Sequence, residues 1–285
     1  MRELMAIGLL AAALAEPPAQ VKIHGHRGCR ALRPENTMPA FRHALELGVD
    51  VLELDMGVTK DNHVLVSHDP HINPKLCRYA DGRPLEKPLA IRTLTLAETQ
   101  QFDCGALSNV DYPKQQPVPG TPPPTLDQVL ELAKAHPRVE FNIETKIFPK
   151  EPELTPDPAT FARLVVDIVR KHKLEKRVIV QSFDPRTLRE VRKIAPAIRL
   201  AVLSSARDPS DYIALAQEIK AEIVSPEFKK LTAPDVARAR KLGMQVIPWT
   251  PNEEGDWQRM VELGVDAIIT DDPAALAAFL KRGSR

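Results

Sequence analysis

Three carboxylates and two imidazoles in this chain stand where strands should end, and their types suggest a chemistry. Glu53 and Asp55 lie two apart in the run Val51–Gly57. Strand side chains alternate, so both acids point to one side while Leu52, Leu54 and Met56 point to the other. Around Val139–Thr145 the pattern repeats: Val139, Phe141 and Ile143 make an apolar face, and Asn142, Glu144 and Lys146 a polar one. Acids facing one way on an apolar strand repel each other. Burial raises that cost unless a cation or a proton sits between them. Glu53, Asp55 and Glu144 offer oxygen only, which suits one divalent cation, Mg²⁺ or Ca²⁺; zinc would more often recruit His or Cys. The plainer alternative is a surface salt-bridge network.

His26 follows the run Val21–Gly25, in His24-Gly25-His26-Arg27-Gly28, and His68 follows Val64–Ser67. A single histidine at a strand end is more often a hydrogen-bonded polar residue than a catalyst. Two of them beside a carboxylate-held cation make a different case. One can take a proton from a nucleophile while the other gives one to a leaving oxygen. Arg27 and Lys146 could hold an anionic, phosphate-like group beside them.

Such groups need a scaffold. Eight β-branched runs recur: Val21–Gly25, Val51–Gly57, Val139–Thr145, Arg177–Ser182, Arg199–Leu203, Glu222–Ser225, Gln245–Trp249 and Ala267–Thr270. Helical stretches separate most of them, including Thr37–Leu47, Leu126–Ala135, Ala159–Lys171, Pro185–Ile194 and Pro273–Lys281. Asn36 or Thr37 can cap the first helix, and Asp272 the last. Eight such units predict an α/β fold, a TIM (β/α)8 barrel, whose catalytic end is the C-terminal end of its strands. An open doubly wound sheet is the alternative, but no glycine-rich phosphate fingerprint follows the first strand. From about 69 to 124 the rhythm breaks. That interval holds a helix-like Leu96–Phe102 and a proline-rich run, Tyr112–Pro124. It reads as an inserted subdomain after the second strand, over one barrel mouth. The alternative, a disordered linker, fits poorly with the apolar content of Leu85–Leu107.

Composition excludes several classes. The 285 residues carry 39 Lys+Arg and 38 Asp+Glu, a net charge of +1, so neither nucleic acid nor an anionic membrane surface is an expected partner. Residues 1–15 combine a short basic start, an apolar run and Ala13-Leu14-Ala15, the small-x-small pattern of a signal peptide. An amphipathic first helix is the alternative. The run is too short to span a bilayer comfortably. The expectation is a barrel over 16–285, secreted or periplasmic, with no stable membrane insertion after cleavage. In an oxidising compartment Cys77 and Cys104, which flank much of the insertion, could close a disulfide; the alternative is two free buried thiols. Cys29 reads as a small buried side chain rather than a nucleophile.

The string His26-Arg27-Gly28, Pro34-Glu35-Asn36-Thr37, Glu53-x-Asp55 and His68-Asp69 resembles the glycerophosphodiester phosphodiesterases. Glu144-x-Lys146, Gln181-Ser182-Phe183 and the run Gly264–Asp271 are similar to that family too, so the resemblance spans about 21–280. It implies a TIM barrel with an insertion after the second strand. It implies metal-dependent hydrolysis of a small-molecule glycerophosphodiester to sn-glycerol 3-phosphate and an alcohol, starting with attack of the neighbouring glycerol hydroxyl to give a cyclic phosphate. By the same resemblance, His26 and His68 are general acid and base, and Glu53, Asp55 and Glu144 are metal ligands. Arg27 and Lys146 contact phosphate, and Trp249 is an aromatic pocket wall, against the alternative of plain rim packing. Glu35 and Asn36 would support the His26-Arg27 loop and the helix start. Two rivals stand beside this reading. One is a phosphatidylinositol- or sphingomyelin-type phospholipase on the same barrel, which would want exposed apolar or basic rim residues. The other is a secreted diester-binding protein without turnover.

Overall fold

The computed structural model describes residues 20–205 and 211–283; the expected signal segment, 1–15, lies outside them. Two strands open the fold, β1 (Lys22–Gly25) and β2 (Val51–Val58). Five short ones follow: β3 (Val64–Val66), β4 (His71–Ile72), β5 (Arg78–Tyr79), β6 (Leu89–Ala90) and β7 (Phe102–Asp103). Six more complete the chain: β8 (Glu140–Thr145), β9 (Val178–Ser182), β10 (Arg199–Ser204), β11 (Ile223–Pro226), β12 (Gln245–Val246) and β13 (Ala267–Thr270). Strands β12-β11-β10-β9-β8-β2-β1-β13 form one parallel sheet in that order. It closes on itself through Trp249, which bridges to Glu227 on one side and Ile269 on the other. This is the expected TIM barrel.

Strand alternation divides the apolar residues between two cores. Leu52, Leu54, Phe141, Ile143, Val180, Leu200 and Ile268 point outward and pack against the helices. Ile179, Ala201, Ile223, Ile247, Ala267 and Ile269 fill the barrel interior. Strands buried on both faces read as nearly continuous hydrophobic runs, which is what made them visible in the sequence. Polar residues in the inward phase therefore end up in the barrel. At its lower end Glu140 pairs with Lys22 at 3.1 Å and with Arg199. At its upper end stand Glu53, Asp55 and Glu144.

Helices α1 (Met38–Glu46), α2 (Leu96–Thr99), α3 (Leu126–Leu130), α4 (Pro158–Lys171), α5 (Pro185–Ile194), α6 (Tyr212–Glu218), α7 (Ala233–Lys241), α8 (Glu254–Leu263) and α9 (Pro273–Gly283) complete the frame. Thr37, Asp157, Asp184 and Asp211 cap α1, α4, α5 and α6 by accepting from the first free N–H groups. Three expectations shift in detail. The helix expected over Leu126–Ala135 keeps α geometry only to Leu130 and tightens to a 3-10 turn ahead of Pro137. The strand expected over Gln245–Trp249 is regular for two residues, since Pro248 has no N–H for the ladder. The helix expected over Leu96–Phe102 stops at Thr99. Phe102 instead enters β7, pairs with Tyr79 and buries its ring 5.2 Å from that tyrosine. Here tertiary packing overrides local propensity.

Between β2 and β8 the chain forms the β4–β6 and β5–β7 ladders around a small core of Leu65, Ile72, Leu85, Ile91 and Phe102. Cys77 and Cys104 are joined in a disulfide across this segment. Cys29 is buried with its thiol 3.3 Å from the Ala40 carbonyl, and burial pushes its pKa up to about 12. It is not a nucleophile at neutral pH.

Candidate active site

The turn after β1 is built around two glycines. A Cβ on Gly25 would sit 2.1 Å from the Gly28 carbonyl oxygen, and one on Gly28 would sit 2.8 Å from Ala40 on α1. Gly28 also has φ +87°, in the region that favours glycine. This close approach lets the chain reverse directly after the strand, so His26 and Arg27 come to lie over the barrel mouth. The Arg27 N–H donates to Glu53 Oε2 at 2.9 Å. Its guanidinium donates to Glu35 at 2.6 Å and lies 3.2 Å from Asp55 Oδ2. Asn36 holds the same oxygen of that carboxylate, with Nδ2 at 2.9 Å from Asp55 Oδ2, and its own N–H donates to the Arg27 carbonyl. Thr37, not Asn36, caps α1. The Glu35-Asn36 pair thus supports the loop and Asp55.

In the sheet Glu53 is in register with Asn142, and Asp55 with Glu144. Ligand atoms of Glu53, Asp55 and Glu144 all lie within 4.8 Å of one another, and all three residues are buried. They form no surface network. Burial and then the neighbouring Asp55 charge push the Glu53 carboxyl well above the usual range, although the Arg27 N–H partly offsets this. Burial likewise raises Glu144 despite Lys146. For Asp55 the burial penalty is outweighed by Lys146 and Arg27, which hold it well below the usual range. Lys146 Nζ sits 3.1 Å from Asp55 and 2.7 Å from Glu144. The same acids raise its pKa against the effect of burial. Gln181, on β9, donates to Glu53 Oε1 at 2.8 Å and accepts from Asn142 at 2.9 Å. One lysine and one arginine leave excess negative charge around Glu53. A hard divalent ion with oxygen ligands fits such a set.

His26 Nδ1 lies 2.5 Å from Asp271 Oδ1, at the end of β13, and its Nε2 is 3.9 Å from Glu53. Burial lowers its pKa, while the Asp271 charge works the other way. His68 Nδ1 lies 3.0 Å from Asp69 Oδ1, and Asp69 in turn accepts from Asn73 at 2.6 Å. In both rings a carboxylate holds Nδ1. Each is then a protonated Nδ1 with Nε2 left for chemistry. Trp249 donates its indole N–H to the Ser225 carbonyl at 2.9 Å, and Phe183 packs edge-on against its ring at 5.7 Å.

His26, Arg27, Glu53, Asp55, His68, Glu144, Lys146 and Trp249 line one cavity of about 280 Å³. All the expected catalytic, phosphate-binding and ligand positions therefore converge. Five residues with no role assigned from the sequence also belong here: Asp271, Asn252 and Arg30 around His26, Gln181 on Glu53, and Phe183 at the rim. Gln181, Phe183 and Asp271 had a usable signal, since each occupies the inward phase of a barrel strand or its extension. Arg30 and Asn252 had none, because loop geometry alone brings them in.

The family model described as the glycerophosphoryl diester phosphodiesterase family matches residues 26–275. A glycerophosphodiester phosphodiesterase of Caldanaerobacter subterraneus subsp. tengcongensis is 30% identical over 262 residues, covering 90% of this chain and 97% of that protein. One from Bacillus altitudinis is 33% identical over 256 residues, covering 88% and 95%. Among solved structures, a Silicibacter pomeroyi protein assigned to glycerophosphoryl diester phosphodiesterase superposes with a TM-score of 0.88 at 30% identity, covering 94% of this chain and 95% of that one. An Oleispira antarctica phosphodiesterase in complex with the product sn-glycerol-3-phosphate has the same fold, with a TM-score of 0.77 at 20% identity over 91% and 96% of the two chains.

Proposed function

The chain belongs to the glycerophosphoryl diester phosphodiesterase family, and from that premise we propose that it cleaves glycerophosphodiesters to sn-glycerol 3-phosphate and an alcohol by two-histidine acid–base catalysis. The observation that carries this reading is the convergence of His26 and His68, each held at Nδ1 by an aspartate, on the cavity that contains the three acids.

Glu53, Asp55 and Glu144 would hold one divalent cation, Mg²⁺ or Ca²⁺. Bound there, it would neutralise phosphate charge and make the attacking hydroxyl more acidic. The protein's own groups do the rest. Arg27 and Lys146 bind the non-bridging phosphate oxygens and stabilise charge as it builds on them. One histidine accepts the proton of the substrate's glycerol hydroxyl next to the phosphate. As that oxygen attacks phosphorus, the other histidine gives a proton to the departing alcohol oxygen. The product is a cyclic phosphodiester, and the histidines exchange roles when water opens it. Because the nucleophile belongs to the substrate, holding the diester in one orientation supplies much of the rate. The Trp249 and Phe183 rings wall the rim on the side of β9 and β12.

A compact, soluble diester suits the cavity better than a membrane lipid. Among the described residues Val110, Phe183, Ile194 and Leu242 are the exposed large apolar side chains, and of these Phe183 alone lines the cavity. A lipid-surface enzyme would need a broader apolar rim. The secreted or periplasmic location rests on the signal-like residues 1–15 and on the Cys77–Cys104 pairing. Release of glycerol 3-phosphate from glycerophosphocholine, compared among wild type, His26→Ala and His68→Ala, tests the catalytic reading.

A further inference from the structure

We propose that Tyr112, on the proline-rich strap over the barrel mouth, is a positioning residue for His26 that acts through Asp271 and Arg30. The inference rests on the reading of His26 as an acid–base catalyst.

Residues 112–116 touch two separate segments. Gln115 donates to the Arg30 carbonyl at 2.6 Å, and the Gln116 N–H donates to the Leu32 carbonyl at 3.0 Å, so the strap grips the loop that carries His26. Lys114 reaches Asp272 at 3.2 Å, at the end of the strand that carries Asp271. Tyr112 joins the two. Its hydroxyl donates to Asp271 Oδ2 at 3.3 Å, and the Arg30 guanidinium stacks 4.7 Å from its ring centre. Arg30 Nε lies 3.0 Å from Asp271 Oδ1, the oxygen that His26 Nδ1 meets. Asn252 donates to Oδ2 at 2.7 Å. A carboxylate engaged at both oxygens cannot swing about its own bond, and the imidazole on it inherits that fixed plane. Tyr112 itself does not line the catalytic cavity, so it acts only through its neighbours. Pro113, Pro117 and Pro119 stiffen the strap by fixing φ. This gives the proline clustering a purpose: a rigid brace across the loops that follow β1 and β13.

The test is a double-mutant cycle on glycerophosphocholine hydrolysis with Tyr112→Ala, Tyr112→Phe, His26→Ala and the paired variants. Tyr112→Ala should lower kcat about tenfold with KM within about twofold, since a displaced catalyst slows turnover rather than binding. Tyr112→Phe keeps the ring on Arg30 and should lose about threefold. In the His26→Ala background either change should cost less than about twofold, because the group being positioned is gone. An unchanged kcat, or the same loss with and without His26, overturns the proposal. Should Tyr112→Ala fail to fold, the Phe variant decides through the same cycle. A His26→Ala enzyme at wild-type rate would instead overturn the catalytic reading beneath it.

Discussion

His26 and Asp271 stand 245 residues apart in the chain, yet His26 Nδ1 and Asp271 Oδ1 meet at 2.5 Å. Their strands, β1 and β13, the first and last of the chain, are paired side by side in the barrel sheet. The contact fixes which ring nitrogen carries the proton and directs the other toward Glu53. Burial raises the aspartate's pKa, but the facing imidazole and Arg30 outweigh it and keep the carboxyl below the usual range, so it stays ionised.

Asp271→Asn should therefore leave the fold intact and lower kcat by about a hundredfold, with KM little changed, since an amide can donate to Nδ1 and hold the wrong tautomer. Steady-state kinetics on glycerophosphocholine check this. A variant with wild-type kcat would show that the aspartate does not orient the ring.

His26→Ala and His68→Ala should each fold normally and lose at least about a hundredfold in rate, the usual cost of removing a general acid or base. Circular dichroism and a glycerol 3-phosphate assay separate folding from catalysis. Near-native rates in both variants would eliminate the two-histidine scheme.

Chelator should silence the wild type, and Mg²⁺ or Ca²⁺ should restore it. Because a cation would relieve repulsion among Glu53, Asp55 and Glu144, ion at a hundredfold excess over Kd should also add about 2.7 kcal/mol of stability and so raise the melting temperature. Asp55→Asn should lose both effects. A melting curve indifferent to both ions would count against the carboxylate site.

His24 is buried in the barrel interior, where burial pushes its pKa down to about 3. The unfolded chain takes up this proton near the ordinary value of 6.5 and the folded protein does not. Its presence thus costs stability as pH falls from about 6.5 toward 3 and costs nothing above. Between pH 7 and pH 5 the loss is about 2 kcal/mol, and His24→Asn should remove it. Urea titrations at the two pH values read the difference. Equal losses in both proteins would place the acid sensitivity elsewhere.

Much of this protein is legible without coordinates, for a definite reason. Parallel strands buried on both faces are almost wholly apolar, so Glu53, Asp55 and Glu144 stand out, and the two-residue period assigns them to one side. The Gly25–Gly28 turn and the Thr37 cap are also local. Their hydrogen bonds span a few residues, so spacing narrows the cap to Asn36 or Thr37, and the structure places it on Thr37. The grouping of Arg27 with Glu35, eight residues on, is local too.

Phe102 marks where local reading stops. Helical by its neighbours, it joins a strand because the small core of the insertion needs its ring. The brace from Tyr112 to Asp271 and the Gln181 contact with Glu53 belong to the same class. Alternation along a strand tells which side a residue faces, and that put Glu53 and Asp55 on one side of their strand and Glu144 on the polar side of its own from the sequence alone. Which distant residue it faces depends on barrel closure and on the path of the insertion, so only the tertiary structure could decide what holds His26.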